Sequence, residues 1–485
     1  MRVLESLEPQ KVFYFFEEIC NIPHGSGNIT GISNYLRKFA EERNLEVIQD
    51  EIKNIIMIKA ASKGYEEEPP VILQGHMDMV AVHKPELPID MTKEPLKLKI
   101  DGDKVYAEGT SLGGDDGIAV AYALAVLDDE ELKHPRLEVV ITVDEETGME
   151  GAREIDLSML KGNRLVNLDS EEEGIFLTSC AGGARVNCKL WPEFVKMTGV
   201  HYELVLGGLI GGHSGVEIHK ERGNANKLMA RLLWNLYLGE LTPGLVSAQG
   251  GLADNAIPRE TNVKLLVPVE QKDSFEAAVA VFAQEVKGEL ATKDPAFNIL
   301  LKQGGIETQR AVCGNEYAVT AAFLNSLPNG VQAMSKDMEG LVETSLNLGI
   351  LKVSEEGVEA SFAVRSSVES SKKALIERIM SMVVLAGGEA EVEGNYPGWS
   401  YRVNSPLREK MIALYKEMYG EEPQVEAIHA GLECGLLASK IEDLDCVSFG
   451  PNMSNIHTTE ETLSISSVQR VWHYLIALLE RKDVR

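Results

Sequence analysis

Five short segments put metal-ligating or proton-transferring side chains at the ends of apolar runs. In GHMDMV (75–80), His76 and Asp78 stand two apart just after the apolar VIL, so on a strand they share a face. An imidazole there can ligate a metal while a neighbouring carboxylate takes its other ring N–H and fixes the tautomer. GGDDG (113–117) sets Asp115 and Asp116 at the head of the apolar stretch GIAVAYALAVL. One aspartate in that place reads as a helix cap, whereas two adjacent carboxylates suit a cation that joins them to other ligands. In VVITVDEETG (139–148) an apolar strand runs into Asp144, Glu145 and Glu146. Strand ends of an open α/β sheet are where ligands bind, and in a Glu pair one carboxylate can hold a metal while the other stays free as a base. LVNLD (165–169) ends a further strand at Asp169, and NIHTTEE (455–461) offers His457 before the last helix. Singly, each segment has a plain alternative: a chance surface pair, a cap, an acidic loop in water, an exposed histidine.

Together they describe one kind of chemistry. One His, one Asp, a bridging Asp, one Glu and a second His give two divalent ions about three protein ligands each, with room left for water. Two ions roughly 3.5–4 Å apart share a hydroxide, the pKa of the bound water falling to roughly 7. That is hydrolase chemistry.

The elements that must carry these residues are legible as patterns. Helical spacing marks 12–20 and 30–42, and runs of consecutive apolar residues mark strands at 55–58, 71–73, 137–143 and 165–168. Strands apolar on successive residues are covered on both faces, which predicts a mixed or largely parallel sheet flanked by helices. Asp101-Gly102 marks a hairpin turn, and 117–127 a buried helix. From about Lys189 the texture changes to strands at 262–267 and 358–364 interleaved with helices at 224–238, 274–289 and 372–385, one or two α+β sandwiches. GNYPGWSY (394–401) reads as the connection back, followed by a helix over 406–419, a strand over 446–449 and a helix over 466–481.

With 485 residues the chain exceeds the roughly 250–300 at which one hydrophobic core stops growing, so at least two domains are expected. At 44% hydrophobic and 25% charged residues it is globular, which excludes fibres, disorder and small stapled scaffolds. A formal net charge of −28 with no basic run excludes nucleic acid and anionic membranes as partners. No window reaches the roughly 18–20 apolar residues that cross a bilayer, and MRVLESLEPQ lacks the apolar core of a signal peptide; a cytoplasmic protein is expected. Six cysteines without a C-x-x-C pair fit reduced thiols.

The segments GHMDMV, GGDDG, DEETG, NLD and NIHTTEE, in this order and across essentially the whole chain, resemble the co-catalytic zinc peptidases that include aminoacylases, carboxypeptidase G, tripeptidase T and cytosolic dipeptidases. HKERGNANKL (219–228) and HAGLECGLL (429–437) resemble its Xaa-His dipeptidase branch. The resemblance implies an α/β catalytic domain with a mixed sheet flanked by helices, formed by 1–186 and 399–485 and interrupted by an inserted α+β lid domain over 187–398. It implies two divalent ions, zinc first with cobalt or manganese as alternatives. His76 and Asp169 would hold one, Glu146 and His457 the other, and Asp115 would bridge them across an expected cis Asp115–Asp116 peptide. Asp78 would orient His76, and Glu145 would be the general base that deprotonates the metal-bridging water to hydroxide and then protonates the leaving amine. In the lid, His213 of GGHSG would polarise the scissile carbonyl, and Asn255 of DNAIPR and Arg365 of FAVRSS would grip the substrate carboxylate. Lid closure and homodimerisation through the lid are implied in the same way.

Two departures touch the substrate pocket and leave the ligands alone: Gly117 where many relatives carry Lys, and Gly431-Leu432-Glu433-Cys434-Gly435 where they carry a Gly-Thr-Asp loop. The expected activity is hydrolysis of dipeptides, Xaa-His among a broad range. A deacylase or carboxypeptidase with the same metals is the nearest alternative, and a binding protein without turnover the other. Glu145 beside Glu146 speaks against the last, since a binder has no need of a free base.

Overall fold

Consecutive apolar residues form the expected strands, and these assemble around one long apolar helix. The computed structural model describes residues 2–483. The chain divides into two units: 1–179 with 401–427 and 433–485, and 180–400 with 428–432.

The first unit is built on an eight-stranded sheet. Its order is Glu46–Gln49, Ile55–Lys59, Leu137–Thr142, Val71–His76, Arg164–Asn167, Asp445–Ser448, Ile175–Cys180 and Gln424–Ile428. The central pairings of Val71–His76 with Leu137–Thr142 and Arg164–Asn167, and of Arg164–Asn167 with Asp445–Ser448, are parallel. The edge pairings are antiparallel, so the sheet is mixed. Parallel neighbours aim their C-terminal ends at one rim, where ligands of open α/β sheets collect. His76 ends one of these strands, and Glu145, Glu146 and Asp169 lie just past the ends of two others. Helix Gly114–Asp128 is buried on every face from Gly114 to Leu127. It packs on strand Val71–His76 at Gly75, where a Cβ would come 2.8 Å from that of Ala119 and press on the Asp116 carboxylate. Only glycine admits the helix so close to the strand.

The second unit is an antiparallel sheet whose path runs Thr261–Val267, Phe194–Gly207, Asn298–Val312, Gly244–Gly250, Val342–Ser354, Gly357–Ser366, Gly182–Leu190 and Glu389–Tyr396. Helices Ala225–Leu238, Lys272–Glu289, Gly314–Ser326 and Glu369–Leu385 bury their apolar residues against it in a separate core. It is one sheet layered with helices, a single α+β sandwich of the one or two expected. The expected boundary at 187 falls inside strand Gly182–Leu190, which pairs along its length with Gly357–Ser366 and belongs wholly to this unit. Residues 428–432, expected with the catalytic part, join the second unit because the Ala181 N–H donates to the carbonyls of Ile428 and Ala430 and because His429 Nε2 meets Ser345 Oγ at 2.7 Å. Among the described residues no helix is long and apolar enough to cross a membrane.

Candidate metal centre

Strand Val71–His76 delivers His76 into the first unit's interior, where it is 1% exposed. Its Nε2 lies 3.1 Å from Asp115 Oδ1 and 3.6 Å from Asp169 Oδ1. The other Asp115 oxygen, Oδ2, is 3.0 Å from His457 Nε2. Asp115 thus presents one carboxylate oxygen to each imidazole. The Asp115–Asp116 peptide is cis, and both residues depart from helical dihedrals at the helix head. His457 holds φ of +61° in its loop, and its Nε2 also meets Glu146 Oε1 at 2.9 Å. Three sets of side chains bring ligand atoms within 4.8 Å of one another: His76, Asp116 and Asp169; His76, Glu145 and Glu146; Asp115, Glu146 and His457.

The electrostatics are those of an acid cluster held by two imidazoles. Burial and the Asp169, Glu146 and Asp115 charges push the Glu145 carboxyl up to about 8, against the pull of His76. Burial likewise pushes Asp169 up to about 8. Burial opposes ionisation of Asp115 too, but hydrogen bonds from His457 and His76 outweigh it and hold that carboxyl below its ordinary range. His457, hydrogen-bonded by Asp115 and Glu146, rises to about 10.

The arrangement fits a pair of divalent ions. Nitrogen and carboxylate donors suit Zn²⁺, Co²⁺ and Mn²⁺ alike. Asp116 Oδ1 is buried and has no hydrogen-bond partner among the described residues, which suits a carboxylate beside a cation site.

Asp78 meets His76 through both its main chain and its carboxylate. His76 Nδ1 is 3.0 Å from the Asp78 main-chain carbonyl and 3.5 Å from its carboxylate, so the ring N–H donates first to the main chain. The carboxylate also accepts the Glu145 N–H at 3.0 Å and the Glu146 N–H at 3.4 Å.

His213, Asn255 and Arg365 lie in the second unit. His213 pairs with Ala256 across a two-residue ribbon, and the Ser214 N–H donates to the Asn255 carbonyl at 2.8 Å. His213 Nδ1 accepts N–H groups from Gly215 and Val216, which leaves the ring proton on Nε2. Burial and the Arg365 charge lower this imidazole, keeping it neutral. Asn255 is exposed, and the two residues line a cavity of about 940 Å³ with Glu217, Arg259 and Glu260. Arg365 reaches the Tyr396 hydroxyl at 3.4 Å, while its buried Nε has no partner among the described residues.

Several participants escaped sequence reasoning. Glu461, 3% exposed, accepts the N–H groups of Leu112, Gly113 and Gly114, tying the His457 loop to the Asp115 helix head. Glu433 is wholly buried and accepts from Gln74 and Thr142, each close to a motif strand end. Burial raises its carboxyl to about 8. The doubled acid of TTEE and the glutamate of the unusual 431–435 loop were the only available signals.

Residues 72–481 match Peptidase family M20/M25/M40. The chain is 38% identical over 482 residues, 99% of each sequence, to the cytosol non-specific dipeptidase of Escherichia coli strain K12. The crystal structure of aminoacylhistidine dipeptidase from Vibrio alginolyticus superposes with a TM-score of 0.93 at 37% identity, covering 99% of this chain and 98% of that one. Aminopeptidase PepT from Bacillus cereus shares the fold, with a TM-score of 0.56 at 16% identity and 98% coverage of both chains.

Proposed function

From the premise that this chain belongs to Peptidase family M20/M25/M40, we propose how its residues hydrolyse dipeptides. It is a metal-dependent dipeptidase, a hydrolase of peptide bonds. The observation that carries the reading is Asp115 set between His76 and His457, one carboxylate oxygen to each.

We assign His76 and Asp169 to one ion, Glu146 and His457 to the other, and Asp115 to both, with zinc as the native metal. When bound, the ions supply Lewis acidity, polarising the scissile carbonyl and making water acidic near neutral pH. Glu145, beside Glu146 and assigned to neither ion, is left free to exchange a proton. It takes one from the attacking water as the oxygen bonds to the carbonyl carbon, then gives it to the amine nitrogen as the C–N bond breaks. From the second unit, neutral His213 donates Nε2–H to the carbonyl oxygen as charge develops there. Asn255 and Arg365 hold the C-terminal carboxylate; a planar guanidinium suits that group. Dipeptides ending in histidine belong to the substrate range, as the relative named for aminoacylhistidine suggests. Cytoplasmic residence follows the cytosolic relative's name, and a homodimer through the second unit completes the proposal.

The test is a substrate panel. The full chain, loaded with Zn, Mn or Co, is assayed on Xaa-His and other dipeptides, tripeptides and acetylated amino acids. Turnover concentrated on dipeptides is expected; predominant deacylation would overturn the assignment.

A further inference from the structure

The turn at 24–28, HGSGN, holds none of the assigned ligands, yet it touches both acid-bearing segments. It is laced to the segment after strand Val71–His76 through a Gly25–Met79 bridge, the Ser26 N–H to the Met79 carbonyl at 3.2 Å, and the Met79 N–H to the His24 carbonyl at 3.2 Å. It reaches the loop after strand Leu137–Thr142 through the Gly27 N–H, which donates to Asp144 Oδ1 at 2.6 Å. Gly27 adopts φ of +78°, a conformation that favours glycine. Between these ties the Ser26 hydroxyl donates to Asp78 Oδ2 at 2.8 Å.

That hydroxyl settles which way the Asp78 carboxylate faces. Asp78 is 1% exposed and has two competing sets of donors. Oδ1 lies 3.0 Å from the Glu145 N–H and 3.5 Å from His76 Nδ1, which is already served by a main-chain carbonyl, while Oδ2 lies 3.4 Å from the Glu146 N–H. With Ser26 in place, Oδ2 has a short donor and Oδ1 is left directed at the Glu145 N–H. Without it, Oδ2 keeps only the 3.4 Å contact to Glu146, and Oδ1 is free to shift from the Glu145 N–H toward the imidazole 3.5 Å away. The backbone of the base would then lose its anchor.

We propose that Ser26 is a positioning residue for the general base: its hydroxyl holds the Asp78 carboxylate against the main-chain N–H of Glu145 and so sets where the Glu145 side chain starts. This rests on Glu145 being the base. Proton transfer needs heavy atoms within about 2.6–3.2 Å, so a small shift of that backbone acts on turnover more than on substrate binding.

Ser26→Ala and Ser26→Thr are compared with the parent full chain, all metal-loaded, for kcat and KM on one dipeptide and for metal content by elemental analysis. Loss of an outer hydrogen-bond partner in a metal site costs about 10- to 100-fold in activity, and a kcat loss of that size is expected for Ser26→Ala. KM should stay within about twofold, metal content should be unchanged, and Ser26→Thr, which keeps the hydroxyl, should recover most of the turnover. Unchanged kcat in Ser26→Ala overturns the proposal. So does a kcat loss matched by metal loss, which would place the hydroxyl in support of His76, and so does failure of threonine to rescue. Glu145→Gln run in parallel separates the two readings. If it turns over like the parent, the base assignment fails; if it is dead while Ser26→Ala is normal, only the role of Ser26 fails.

Discussion

Glu461 Oε1 accepts the main-chain N–H of Gly114 at 2.8 Å, across 347 residues of sequence. Its other oxygen takes the N–H groups of Leu112 and Gly113, so one buried carboxylate closes the turn that leads into Asp115. Glu461→Ala would leave these three donors without that acceptor. A loss of ~2–4 kcal/mol in stability is expected, read from urea denaturation. Metal should bind more weakly as well, because Asp115 and His457 are pinned through the same contact. Parental stability and metal affinity together would show the contact to be dispensable.

Glu145→Gln removes a proton acceptor and no assigned ligand. Turnover should fall by about 10²- to 10⁴-fold, the usual contribution of a general base. Elemental analysis should still find about two ions per chain, the number the ligand set provides for. Metal loss in this variant would make Glu145 a ligand and shift the acid assignment by one residue.

Metal uptake should release protons. In the metal-free site His457 is held protonated up to about 10, and Asp169 stays protonated up to about 8. Ligation requires a neutral imidazole and an ionised carboxylate, so each ion must displace protons. The sign follows: affinity rises with pH across 6 to 8, by about tenfold per unit for each proton displaced. Calorimetry in buffers of different ionisation enthalpy measures the release directly. An affinity flat over that range would contradict the pairing of His457 with Asp115 and Glu146.

Arg365→Ala should act on substrates that carry a free C-terminal carboxylate. A loss of about 30-fold or more in kcat/KM, ~2 kcal/mol, is expected for dipeptides, with little further loss for their C-terminal amides. Equal losses on acid and amide would remove Arg365 from carboxylate recognition.

The parts of the site that could be read from sequence share a cause. His76, Glu145, Glu146 and Asp169 each follow an apolar strand, and Asp115 heads an apolar helix, so the abrupt change from apolar to acidic marks the rim of the sheet. The final helix, expected over 466–481, is Ile465–Glu480, because its apolar residues recur at helical spacing along a buried face. Glu461, Glu433 and Ser26 were missed for a different reason. Two of them bond to partners more than 290 residues away, and Ser26 acts through the carboxylate of another side chain. Nothing in the neighbouring residues records such pairings. Strand Asn298–Val312 was also invisible, since it is mostly exposed along its length and shows no buried alternation. Residues 428–432 looked continuous with the chain after them; only the contacts of His429 and Ala181 assign them to the other unit.

Strand Arg164–Asn167 pairs in parallel with Asp445–Ser448, and the second unit's main segment, 180–400, is encoded between them. During synthesis that strand therefore waits with an unpaired edge while more than two hundred residues of another unit are made. A nascent chain that stops short of residue 457 lacks one of the two imidazoles that face Asp115, however well its earlier segments have folded. With His457 as the proposed ligand, the segments before the second unit cannot make the metal site alone, since the chain must pass through that unit before it supplies the second imidazole.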